Sequence, residues 1–109
     1  MTDYIIRADS SALAASLLHQ YGLVPSTADG SAPSEMPPYI QGHAPDGTFY
    51  FGAIVGEING DGACWGRLRW GAETPPQFPP GLTVYVPQPD GSFVPPLDPA
   101  IDAAIPVIG

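Results

Sequence analysis

The chain contains no lysine, a single cysteine, two histidines and no long hydrophobic run, and each shortage closes off a class of function. Three arginines (Arg7, Arg67, Arg69) stand against eleven acids, for a formal net charge of −8. A chain so poor in cations repels nucleic-acid phosphates and anionic membrane surfaces. The expectation is no direct nucleic-acid contact and no membrane. Cys64 has no second cysteine to pair with, whereas small extracellular domains commonly rely on several disulfides. No stretch approaches the roughly 20 apolar residues that cross a bilayer. The opening Met1-Thr2-Asp3-Tyr4-Ile5-Ile6-Arg7 lacks the basic flank and following apolar run of a secretory signal. Cytoplasmic synthesis and a soluble protein are predicted.

Catalytic patterns are equally scarce. The best zinc-binding set is His43, Asp46 and Cys64, which lie on separate segments without ligand spacing, so a polar turn histidine and a small buried thiol are expected instead. Cys64 has no histidine beside it to lower its pKa, and no Gly-x-Ser-x-Gly elbow occurs. Glycines 56, 60 and 62 lie beside acids, the wrong setting for a phosphate loop. No enzyme activity, cofactor or metal is expected.

What the chain has in quantity is fifteen prolines and thirteen glycines within a composition that is still 44% hydrophobic. Disordered chains lack that apolar content. The apolar residues fall in short aromatic runs between the breakers, which predicts one domain over 1–109 of α+β, mostly β class: a small antiparallel sheet, or meander, with one N-terminal α-helix and long Pro/Gly-rich loops. Strands are predicted over Asp3 to Ala8, Tyr39 to Ala44, Thr48 to Ile58, Ala63 to Trp70 and Leu82 to Val86, with a short run at Ser92 to Val94. The helix is predicted over Ser11 to Tyr21, with Leu13, Leu17, Leu18 and Tyr21 as its buried stripe and Gly22 as a left-handed C-terminal cap. Residues 24–38 form a Pro-rich connection. Residues 95–109 form an extended C-terminal arm in which Asp98-Pro99 can start a short helix. Pro45-Asp46-Gly47 and Pro89-Asp90-Gly91 supply matching turns.

A two-residue turn within Asn59-Gly60-Asp61-Gly62 pairs odd positions with even ones across the central hairpin. Phe49, Phe51, Ala53 and Val55 then share a core face with Cys64, Gly66, Leu68 and Trp70. The opposite face carries Tyr50, Ile54, Trp65, Arg67 and Arg69, a partner-binding patch of the residue types that anchor interfaces. The alternative for the same residues is structural: Trp65 covering Gly56, and the arginines paired with acids such as Glu57 or Glu73. The expected function is a non-enzymatic structural or assembly subunit, a small accessory protein of a larger homo- or hetero-oligomeric complex such as a tailed-phage particle, which would place it in a virion. Its contacts would be the Trp/Arg face and the Pro-rich arms. Two alternatives remain: a ligand- or carbohydrate-binding β module with Tyr50 and Trp65 as platform, and an acidic inhibitor or decoy.

Overall fold

Between the breakers, each run of β-branched and aromatic residues forms a strand in the computed structural model, which describes residues 2–24 and 26–106. Met1, Pro25 of the connection and residues 107–109 of the arm lie outside the described residues. The strands are β1 (Thr2–Ala8), β2 (Tyr39–His43), β3 (Phe49–Val55), β4 (Cys64–Trp70), β5 (Thr83–Pro87) and β6 (Phe93–Val94). With the helices α1 (Ser11–Gln20) and α2 (Pro99–Ala104), they make a six-stranded antiparallel sheet in the order β2-β3-β4-β1-β5-β6. The mostly-β α+β class is therefore as the composition implies.

Helix α1 starts where the Ser10 hydroxyl accepts the Leu13 N–H at 3.0 Å. It stops in a Schellman motif: Leu23 N–H returns to Leu18 O at 2.9 Å and Gly22 N–H to His19 O at 3.0 Å, with Gly22 at φ +73°. Leu18 and Leu23, the apolar pair of that motif, are both buried in the main core. The buried stripe differs from the leucine pattern. Ala14, Ala15 and Leu18 face inward while Leu13 is exposed, because Ala14 sits directly against Ala8 of β1 and Cys64 of β4, where a leucine would hold the helix away.

The two faces of the sheet carry separate cores. On the α1 side, Tyr4, Ile6, Ile40, Tyr50, Leu68 and Trp70 pack against Leu18, Leu23 and Val24. On the α2 side, Ile5 and Trp65 pack against Ala63 and against Ile101 and Ile105 at the end of the chain. The C-terminal segment thus folds back on the sheet over residues 99–105 instead of extending from it. Its helix begins as the sequence suggests, with Asp98 accepting the Ala100 N–H at 2.9 Å ahead of Pro99. The connection is also tied down, since Met36 N–H donates to the Ser11 hydroxyl at 2.7 Å.

The register of the central hairpin overturns the odd-to-even pairing. Tyr50 faces Trp70, Gly52 faces Leu68, Ile54 faces Gly66 and Val55 faces Trp65, so even positions meet even ones and odd meet odd. The cause is the connection, which is a broad loop over residues 56–63 rather than a two-residue turn. Ile58 is drawn into the core beneath α2, and the Asp61 carboxylate accepts the Ala63 N–H at 3.0 Å, so the loop is pinned by its own side chains. Phe49 and Phe51 consequently lie on the α2 face, away from Cys64, Gly66, Leu68 and Trp70.

Candidate functional site

The five residues Tyr50, Ile54, Trp65, Arg67 and Arg69 do not share a face. Facing residues of an antiparallel pair project to the same side, so Tyr50 and Ile54 belong to the α1 face and Trp65, Arg67 and Arg69 to the α2 face. Tyr50 is 2% exposed, and burial pushes its phenol pKa up. Each of these α1-side residues fills the space over a glycine. A Cβ at Gly42 would come within 3.1 Å of the Tyr50 hydroxyl, and one at Gly66 within 2.7 Å of Ile54 Cδ1. Tyr50 and Trp65 therefore form no common stacking platform.

On the α2 face every arginine is held by carboxylates. Arg67, with 12% of its side chain exposed, donates through Nη2 to Asp102 Oδ1 at 2.7 Å and Asp102 O at 3.0 Å, and through Nε to Pro106 O at 3.2 Å. It thereby caps the carbonyl end of α2. Arg69 grips its cross-strand neighbour Asp3 with Nε and Nη2 at 2.8 and 3.0 Å, which raises the guanidinium pKa. Arg7 lies over the Trp65 ring at 5.7 Å and binds Asp9 and Asp61 at 3.1 and 3.4 Å. Partial burial works against its charge, but those two carboxylates outweigh it and hold the pKa above the ordinary value. The arginines thus pair internally, with Asp3, Asp9, Asp61 and Asp102, and not with Glu57 or Glu73. Gly56 is open, with nothing near the position of a Cβ. Trp65 is 5% exposed and stacks on Tyr85 at 5.8 Å.

The exposed aromatic surface lies elsewhere, at the β2 end of the same face. Tyr39 is 63% exposed and Phe49 41%, and they belong to two ring contacts, Tyr39 with Phe51 at 6.2 Å and His43 with Phe49 at 5.6 Å. The sequence reading placed Phe49 and Phe51 in the core. The signal that marks them is the uncharged segment Tyr39-Ile40-Gln41-Gly42-His43, which carries none of the lysines or other charges that protect sheet edges.

Strand β2 is the outermost strand of the sheet on that side. Pro38 O accepts the Ile54 N–H at 2.8 Å and Ala44 N–H donates to Thr48 O at 2.8 Å, so even positions of β2 bond toward β3. Backbone groups alternate along an antiparallel ladder. Those of Tyr39, Gln41 and His43 hence point to the open edge, bounded by Pro37 and Pro45, which have no N–H. At the other end of the sheet β6 has two residues and runs into Pro95-Pro96.

Among the described residues no three metal-ligating side chains cluster. His43 belongs to the α2 face and Cys64 to the α1 face, where burial pushes the thiol pKa up although a hydrogen bond with Ser11 partly offsets it. No helix among the described residues is long and apolar enough to cross a membrane. Comparison with protein-family models, with curated proteins and with solved structures finds no match to this chain.

Proposed function

We propose that the protein is a non-enzymatic structural subunit that associates with a second copy of itself, edge to edge, through β2. The observation that carries this reading is the open, uncharged edge whose outward-facing residues are Tyr39, Gln41 and His43. Antiparallel pairing centred on Gln41 sets Gln41 opposite itself and Tyr39 opposite His43 of the second copy. Pro37 meets Pro45 where the ladder ends, so residues lacking an N–H fall together outside it. The Tyr39, Phe49 and Phe51 rings of both copies then form one apolar band on a common side of the joined sheet. Aromatic residues supply large contact area at such interfaces. The partner surface is moved from the Trp/Arg patch to this edge.

Light scattering on the purified chain tests the proposal. A two-copy species is expected at about 0.1 mM, where a micromolar interface is saturated, and added salt should tighten it by screening the charge of −8. Gln41→Pro removes an N–H that serves no internal bond and should give monomers with unchanged circular dichroism. Tyr39→Lys, which leaves the backbone intact, should do the same. A wild-type chain that stays monomeric at low and high salt overturns the reading.

A further inference from the structure

Asn59 is the chain's one asparagine, and it stands directly before Gly60 in the loop that joins β3 to β4. Such a step holds its own electrophile and nucleophile, since the side-chain Cγ is a single ring closure away from the next backbone nitrogen. Glycine eases that closure, because no Cβ screens its nitrogen and its backbone is the least restricted. Both residues are exposed. The space where a Gly60 Cβ would stand is open apart from Glu57 Oε1 at 3.8 Å, and among the described residues nothing accepts the Gly60 N–H. The comparable aspartate steps are built differently. Asp29, Asp46 and Asp90 also precede glycines, but Gly30, Gly47 and Gly91 donate their N–H groups to Thr27 O, Ala44 O and Gln88 O at 2.9, 2.8 and 3.0 Å. Asp61 precedes Gly62, and an ionised carboxylate is a far poorer electrophile than an amide.

The place of the Asn59 amide in the fold sets the consequence of losing it. Turned as its neighbours require, its nitrogen donates to Asp61 Oδ1 and Oδ2 at 2.9 and 3.1 Å. Asp61 also accepts the Ala63 N–H at 3.0 Å and Arg7 Nη2 at 3.4 Å, and Arg7 covers the Trp65 ring. Ile58, the residue before Asn59, packs beneath α2. We infer that the Asn59-Gly60 step deamidates itself in the folded protein, and that the product unfastens this loop from the α2-side core. The Gly60 nitrogen attacks Asn59 Cγ and gives up its proton. As the new C–N bond closes a succinimide, the Cγ–Nδ2 bond breaks and the proton leaves with that nitrogen as ammonia. Water then opens the ring, yielding aspartate where the new bond breaks and isoaspartate where the original peptide C–N bond breaks. The sum is amide plus water to acid plus ammonia. Either product sets a second carboxylate against Asp61 in place of a donor, and like charges so close repel. Isoaspartate also lengthens the backbone by a methylene. The bonds to Asp61 restrain the amide, so the folded chain converts more slowly than an unfolded one.

Ageing of the purified chain in mildly alkaline buffer tests this by peptide mapping and mass spectrometry, with a parallel sample in urea setting the rate of the unrestrained step. The folded chain is expected to release ammonia and to gain isoaspartate at position 59, detected with isoaspartyl methyltransferase, at a rate independent of protein concentration. Asn59→Gln keeps the amide donor but needs a larger ring, which closes more slowly, and should stay intact. The aged protein should melt a few degrees lower than the fresh one, with tryptophan emission shifted to the red. Asn59→Asp should reproduce both changes from the outset. Three results overturn the inference: Asn59 intact in the folded sample when the unfolded one has converted completely; conversion at Asp29, Asp46 or Asp90 ahead of Asn59; or an aged, fully converted protein whose melting temperature and emission match those of the fresh one. The loop contributes no residue to β2, so this proposal and the edge contact can fail separately.

Discussion

At the scale of single residues, the arginines tie elements of the described fold together through internal ion pairs. Arg67 joins β4 to the end of α2, where it meets a carboxylate and backbone carbonyls. Asp102 is partly exposed, so solvent screening reduces the value of the ion pair. Arg67→Met, which keeps much of the stem volume, is expected to cost about 1–2 kcal/mol in urea unfolding. Its emission should shift to the red as α2 loosens over Trp65. Unchanged stability and emission would show that α2 is held by Ile101 and Ile105 alone. That Arg67 and Arg69 would be internally paired was one of the two readings open from the sequence. Their partners were not legible, since Asp3 and Asp102 meet Arg69 and Arg67 only through strand order and through the return of α2.

At the scale of elements, the strands were readable because each is an aromatic or β-branched run bounded by proline or glycine turns. The twin turns show how local that information is. Gly47 N–H returns to Ala44 O and Gly91 N–H to Gln88 O, while Asp46 and Asp90 accept from Thr48 and Ser92 two residues on. The face assignment failed at the one connection that is not local. A loop's parity depends on whether a residue such as Ile58 is pulled into a core, and that core includes the distant Ile101 and Ile105. The observed register makes its own prediction. Because Ile54 Cδ1 occupies the space over Gly66, Gly66→Ala should destabilise by about 1 kcal/mol. Ile54→Val, which removes that atom, should recover most of the loss in the double variant. Additive effects would mean that the two residues are not neighbours across β3 and β4.

At the scale of the whole molecule, pH and charge govern stability from opposite ends. Asp46, Asp61 and Asp90 are held below the usual carboxylate range, Asp46 and Asp61 chiefly by backbone N–H donors and Asp90 first by the Ser92 hydroxyl. Groups with depressed pKa contribute stability that is complete above their unfolded value, about 4, and is lost as pH falls through the folded one. Tyr4 and Tyr50 are raised by burial, so their contribution is complete below about 10 and is lost as pH rises through the folded value. Thermal melting should therefore be flat from about pH 5 to 9 and decline on both sides. A melting temperature that rises steadily on acidification would instead show that relief of the net negative charge outweighs these contacts.

The unequal ends of the sheet also fix a valence. A strand edge that can recruit another strand at both ends polymerises, each addition exposing a fresh template, which is how sheets grow into fibrils. Here β6, two residues long and followed by Pro95-Pro96, offers no such template, while β2 does. With one competent edge among the described residues, the proposed pairing about a two-fold axis would consume both and leave nothing for a third copy. Under the proposed pairing, the same asymmetry that leaves β2 exposed would make the chain a terminator of sheet growth, and its edge contact should close at two however high the concentration.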